Sequence, residues 1–385
     1  MIIKSLLDSD FYKFSMGQVV FFDFPDTIVK YKFTNRGNTQ FPIGFADRLK
    51  LEVSKLKNIK LQPNEIEWLY NHGDFESLYI EWLAKYQFDE NEVVINQVDG
   101  QLLIDIFGEW KRIIYWEVIL MALISELYFE MTGKNIAADT FSKMEDKGQR
   151  LSKANCYWSD FGTRRRFSYE VQDKLVSIMK KYPGFLGTSN PHLAIKHNCN
   201  AIGTSAHEAN MAMQAIYGIE NCNQKWLEHW YNTYDGNLGI ALTDTITTDV
   251  FLNTFTYEYS NIFDGLRHDS GDPYIWGEKV LNHYNRLGID PKTKTIVFSD
   301  GLTTDKFIKI SNHFSPYFKR VIGGIGTHFT NDVGHDPLNI VIKLTEVAAN
   351  ENEDFVPVIK LSDVAGKHNG DVNAIIKAKT ILQIT

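Results

Sequence analysis

Apolar and polar side chains alternate in short runs over the first part of the chain. TIVKYKFTNR (27–36), ENEVVINQV (90–98) and GQLLIDIFG (100–108) are rich in aromatic and β-branched residues, a pattern that predicts strands with one buried face. PNEIEWLYNHG (63–73) opens on a proline and closes on a glycine, which predicts a short helix. IIYWEVILMALISELYF (113–129) is apolar almost throughout, broken by Glu117 and Glu126, and predicts a buried helix rather than a membrane span. A charged helix is expected over TFSKMEDKGQRLSKAN (140–155).

From about residue 155 the texture changes. Short apolar stretches end in Gly, Ser, Thr, Asp or Arg, and a helical pattern follows each: DFGTRRR (160–166), FLGTSN (185–190), AIGTSAHE (201–208), LTDTITTD (242–249), LRHDSGDP (266–273), IVFSDGL (296–302) and VIGGIGTHFTND (321–332). This is the rhythm of βα units, in which polar residues just past parallel strands carry the chemistry. The stretch is shorter than the ~250 residues of a full barrel, so the expected fold class is α/β with an irregular, incomplete barrel. The division expected is 1–115 as a smaller sandwich domain, 116–344 as the barrel, and 345–385 rejoining the first part through strand-like NIVIKLTEVAANENEDFVPVIKLSD.

Composition narrows the classes of partner. The 385 residues carry a formal charge of −8, which disfavours non-specific attraction to nucleic acid or an anionic membrane. Three separated cysteines without CxxC spacing suggest a reducing compartment and no zinc ribbon. MIIKSLLDSDFYKFSM has no uninterrupted apolar signal core, so a soluble, cytoplasmic protein is expected.

Against that acidic background Arg164, Arg165 and Arg166 stand out, since arginine forks pair well with phosphate oxygens. A solvated surface run remains the alternative. The Gly/Thr/Ser turns at 187–190, 203–205 and 323–327 offer backbone N–H groups to anions, although glycines turn strands everywhere. LRHDSGDP gathers Arg267, His268, Asp269 and Asp272 in one turn, either as a site or as a cap by Asp269 or Ser270 on a helix from Pro273. Asp244, Asp249 and Asp300 follow apolar stretches, where carboxylates meet ribose hydroxyls or Mg²⁺. The chain lacks GxxxxGK[ST], a strand-linked GxGxxG, HExxH and GxSxG. His207 sits at a helix start after a tight turn. Glu208, or a carboxylate from another strand end, is expected to hold one ring nitrogen and leave the other nucleophilic. These residues point to a barrel-like enzyme for phosphorylated, anionic ligands.

Taken in order, DSDFYKFSM, FGTRRR, LGTSN, GTSAHE, LRHDSGDP, SDGL and GIGTHFTND resemble the nicotinate phosphoribosyltransferases over nearly the whole chain. The resemblance implies a type II phosphoribosyltransferase-like fold, an α/β barrel beside a sandwich built from both chain ends. It implies an enzyme classed as a ligase that joins nicotinic acid to phosphoribosyl pyrophosphate, giving nicotinate mononucleotide and pyrophosphate in NAD salvage. ATP hydrolysis would be coupled through phosphorylated His207, with Mg²⁺ held mainly by substrate phosphates and no dedicated protein metal site. Tyr12 and Phe161 match the pair that sandwiches the pyridine ring, the tyrosine coming from the neighbouring subunit of a homodimer with shared active sites. Arg267 matches the arginine at the nicotinate and Arg164 one at phosphate, while Arg165 and Arg166 have no firm role. By the same resemblance Thr204 is expected to contact substrate, and Asp269 and Asp244 to be ribose or Mg²⁺ partners. Gly324, Gly326 and Thr327 resemble the 5-phosphate loop, with Asp300 and Gly301 nearby.

The rival readings are a nicotinamide-using relative, a metal-dependent hydrolase built on His192, His197, His207 and Asp269, and a non-catalytic sensor of pyridine nucleotides. Ser189 bears on the first. The nicotinamide enzymes carry an aspartate where LGTSN places Ser189, and a neutral serine removes a charge that would repel a carboxylate ligand. Assayed at equal concentration, nicotinic acid should turn over faster than its amide; faster turnover of the amide would overturn the Ser189 argument.

Overall fold

The structure, a computed structural model, describes residues 1–364 and 368–384. Two sheets organise it. β1 (Ile28–Asn35), β2 (Val93–Val98) and β3 (Gln101–Glu109) form an antiparallel sheet with two strands from the far end of the chain, β10 (Ile340–Ala348) and β11 (Val356–Pro357), in the order β11-β10-β1-β3-β2. The two-residue period expected of β3 appears directly as alternating buried and exposed positions, with Leu102, Ile104 and Ile106 inward. β10 lies along the whole of β1, from Ile28 opposite Ala348 to Asn35 opposite Ile340.

The second sheet is parallel, in the order β5-β4-β9-β8-β7-β6. Its strands are β4 (Tyr157–Asp160), β5 (Phe185–Thr188), β6 (Ile240–Leu242), β7 (Gly265–His268), β8 (Thr295–Phe298) and β9 (Arg320–Ile325). These strands are short and buried on both faces, as crossover helices require. They form the incomplete α/β barrel read from the sequence, with β5 and β6 as unjoined edges. At the β6 edge the tail adds a parallel bridge, Ile246 opposite Leu361, which brings Lys360 to the strand ends. Helix Trp116–Met131 runs between the layers with most of its residues buried.

One buried ion pair fastens the start of the chain to this barrel. Arg166 is fully buried and forks onto Asp8 through bonds of 2.6 and 3.0 Å. Asn190 donates to the same carboxylate at 2.8 Å, and Gln172 links Arg166 to Asp160. Just beyond, Phe11 N–H donates to the Ser189 carbonyl and Ser189 Oγ donates to Asp10, both at 2.6 Å. Of the arginine run, then, Arg166 is a structural anchor. Burial opposes ionisation of Asp8, but the Arg166 charge and hydrogen bonds outweigh it and hold the carboxyl below its ordinary 3.8. Its stabilisation is present above that ordinary value and is lost as pH falls through the lower folded one.

Asp8→Ala strands the Arg166 charge and should cost about 3–5 kcal/mol. Denaturant unfolding should show most of that loss recovered in the double variant with Arg166→Met.

Candidate active site

Turn 201–206 descends onto the N-terminal helix so closely that a side chain on Gly203 would meet the Tyr12 amide at 3.1 Å. Ser15 Oγ donates to the Thr204 carbonyl at 2.6 Å and pins the turn, and helix His207–Tyr217 starts where it ends. A cavity of about 440 Å³ opens between this turn, the N-terminal helix, the ends of the parallel strands and β10. Of the residues picked from the sequence, Tyr12, Phe161, Arg164, Ser189, His207, Arg267, Asp269, Gly301, Gly326 and Thr327 line it.

The others stand back from the wall. Thr204 donates its hydroxyl to the Ile240 carbonyl at 3.0 Å, so the wall there is Ile202, Gly203 and Ala206. Asp244 is fully buried behind His207. Asp300 accepts from Lys306 through its carbonyl and leaves Gly301 and Ser299 at the cavity. Gly324 acts through a neighbour: a methyl there would lie 2.5 Å from the Phe161 ring, so its bareness seats that ring.

Tyr12 lines the pocket of its own chain, 5.9 Å from the Arg164 guanidinium. The clasp of Asp8 and Asp10 on the barrel fixes the helix start over this site.

Arg164 lies 3.6 Å from both Asp10 and Glu117. The Ser189 hydroxyl faces the Asp10 carboxyl, so this end of the pocket does contain a carboxyl group beside the neutral serine. Burial raises the pKa of Asp10, against the Arg164 charge and the Ser189 hydrogen bond. Arg267 brings a buried Nε that lacks a hydrogen-bond partner. Arg165 and Lys343 add positive charge, and burial with nearby cations pushes Lys343 down to about 8.

His207 sits in a tight set of contacts. Its Nδ1 is 3.1 Å from Thr245 Oγ1, and its Nε2 is 2.9 Å from both Asp269 Oδ2 and Lys360 Nζ. Lys360 also bonds Asp244 at 2.9 Å, Ser270 donates to Asp244, and Ser299 orients Asp269 at 2.8 Å. Burial, then the Lys360 ammonium, push His207 down to about 4 against the two aspartates. The ring is therefore neutral near pH 7. A lone pair on Nε2 toward Lys360 requires Nδ1–H to donate to Thr245; an N–H on Nε2 donates to Asp269 instead.

Two sequence expectations change here. Glu208 does not hold His207, because it turns to Lys13, Tyr31 and Trp110. Nor does Asp269 or Ser270 cap the helix from Pro273, because Asp272 does so by accepting from Tyr274 and Ile275 N–H. That cap leaves Asp269 to His207. The sequence does not single out Lys360, because nothing in VIKLSD announces a side chain that meets a histidine 153 positions away.

The metal-hydrolase reading fails on geometry. His192 and His197 pair with Glu65 and Asp173, at 2.9 and 2.7 Å. The ligand-forming group found among the described residues is His207, Asp244 and Asp269, with atoms all within 4.8 Å of one another. Asp244 Oδ1 is buried without a hydrogen-bond partner, which suits a cation. Two carboxylates and an imidazole give Mg²⁺ too few oxygens alone, and Lys360 already supplies positive charge. The set fits Mg²⁺ that takes its remaining ligands from phosphates.

No helix among the described residues is long and apolar enough to cross a membrane. The family described as the nicotinate phosphoribosyltransferase (NAPRTase) family matches residues 156–385, and its N-terminal domain matches residues 7–125. A nicotinate phosphoribosyltransferase of Desulforapulum autotrophicum is 44% identical over 358 residues, 92% of each chain. The crystal structure of the Porphyromonas gingivalis enzyme of that name superposes with a TM-score of 0.97, at 39% identity and full coverage of both chains. The Vibrio cholerae structure gives 0.92 at 33% identity, covering 100% of this chain and 95% of that one.

The electrostatics can be tested directly. Lys360→Met removes the charge that, after burial, contributes most to lowering His207, so its imidazole should titrate well above about 4, toward its ordinary 6.5. NMR of the ring protons reads this; an unchanged titration would mean that burial alone sets the value.

Proposed function

Because the chain belongs to the nicotinate phosphoribosyltransferase family, we propose that it joins nicotinic acid to 5-phosphoribosyl 1-pyrophosphate, releasing nicotinate mononucleotide and pyrophosphate, and couples this to ATP hydrolysis through His207. The observation that carries the coupling is the neutral imidazole held between Thr245, Asp269 and Lys360 on the wall of the same cavity that holds Tyr12 and Phe161.

The pyridine ring of nicotinate lies between Tyr12 and Phe161, with its carboxylate toward Arg267, whose unpartnered buried Nε is a ready donor. The ring nitrogen attacks C1 of the ribose as pyrophosphate departs through an oxocarbenium-like centre. The chain acts here mainly by holding the two partners in line and by charge. Gly326 and Thr327 receive the 5-phosphate, while Arg164, Arg165 and Lys343 line the path of the phosphates. Asp269, with the buried Asp244 behind it, would hold Mg²⁺ together with the phosphates, and the ion would supply charge neutralisation for the leaving pyrophosphate.

In the coupling step the unprotonated ring nitrogen attacks the γ-phosphorus of ATP, a P–N bond forms and ADP leaves. Lys360, already against Nε2, is placed to stay with the new phosphoryl oxygens as a charge-assisted donor. Water later cleaves the P–N bond, releasing inorganic phosphate and restoring His207, which draws the condensation forward. Selection of the acid over the amide rests on the cations around the pocket, with Ser189 supplying a neutral neighbour to Asp10.

Incubation with ATP and Mg²⁺, followed by mass spectrometry at alkaline pH, should show a phosphoryl adduct on the wild-type protein and none on His207→Ala. The variant should also lose the ATP dependence of nicotinate mononucleotide formation. Wild-type turnover without any adduct would overturn the coupling while leaving the phosphoribosyl transfer intact.

A further inference from the structure

Lys13 follows Tyr12 in the chain, and Glu208 follows His207. Their side chains meet in an ion pair inside the protein. Lys13 is fully buried, and its Nζ lies 2.7 Å from a second carboxylate, Glu117. Glu208 uses its other oxygen to accept from the Tyr31 hydroxyl at 2.7 Å and the Trp110 indole N–H at 3.0 Å. The far oxygen of Glu117 lies 3.6 Å from Arg164. Arg164, Glu117, Lys13 and Glu208 thus form one continuous line of charges, with Arg164, Glu117 and Glu208 on the pocket wall and Lys13 buried behind it. One end of that line is at the ring-binding residues, the other at the histidine.

The charge balance makes this line responsive. Lys13 faces two carboxylates, so the buried group has surplus negative charge that leans on Arg164. Nicotinate seated on Tyr12 with its carboxylate at Arg267 still adds negative charge near Arg164, which lies 5.9 Å from the Tyr12 ring, and so competes with Glu117 for the guanidinium. Glu117 then draws more on Lys13, and the hold of Lys13 on Glu208 weakens. Glu208 belongs to the first turn of the helix that His207 begins, so the histidine feels the change. In a low-dielectric interior such rearrangements act over several linked groups.

We propose that Lys13 is a positioning residue that couples occupation of the ring-binding end to the setting of His207, through Glu117 and Glu208. It touches neither reacting centre. The proposal rests on the roles given above for Arg164 and His207, and it assigns the buried lysine a task beyond packing.

A merely structural triad would tolerate neutral replacement of similar shape. Lys13→Met, Glu117→Gln and Glu208→Gln together remove all three charges and keep the volumes. Calorimetric titration of nicotinate into the full chain, with and without saturating adenylyl imidodiphosphate and Mg²⁺, gives a ratio of two dissociation constants. Linkage makes that ratio the same whichever ligand binds first, and a coupled protein should give about fivefold or more. The triple variant is expected to bind nicotinate with a ratio near one. A ratio of one in the wild type, or the wild-type ratio in the triple variant, overturns the proposal.

If the triple variant unfolds early, Glu117→Gln alone carries the test, because it leaves Lys13 and Glu208 paired one to one. The ratio must fall toward one there as well, and a retained ratio again overturns the coupling. Wild-type protein that does not bind nicotinate at all would instead overturn the functional reading.

Discussion

The buried pair of Arg166 and Asp8 is the constraint from which the rest of the site follows. A guanidinium with no exposed surface must be matched where it lies, and its partner comes from the opposite end of the chain's first half. Once Asp8 is held, Asp10 reaches Ser189, the next turn becomes a helix, and Tyr12 has one place to go. The arginine does not touch the ligand cavity. It fixes the helix that carries Tyr12 to the cavity wall.

His207 shows the opposite economy, in which charges are left competing. Burial and Lys360 disfavour its protonation; Asp244 and Asp269 favour it. The balance leaves a neutral ring whose proton has two alternative seats, on Thr245 or on Asp269. In either seat one ring nitrogen keeps its lone pair.

Much of this was legible before any coordinates. Alternation in GQLLIDIFG marked a half-buried strand, and the polar residues after each short apolar stretch marked the strand ends of a barrel. Phe161, Arg164, His207, Arg267 and Asp269 converge on one cavity as their positions suggested. What stayed hidden was partnership across sequence. Glu208 is next to His207 along the chain, yet the helix turns it toward Lys13, 195 positions away. Lys360 and Lys343 look like ordinary strand lysines until the tail folds back. Asp272 took the helix cap because its side chain reaches two N–H groups at once, a choice that four neighbouring polar residues do not reveal by themselves.

The bridge between Ile246 and Leu361 has a consequence for the order in which the protein is made. Translation delivers the histidine long before the lysine that keeps it neutral. While the ribosome is still adding residues between the two, the growing chain already holds His207 and both aspartates but not Lys360. During that interval the imidazole lacks the cation that, after burial, does most to disfavour its protonation. The surroundings of the histidine are therefore completed last, when the tail folds back against the strand ends.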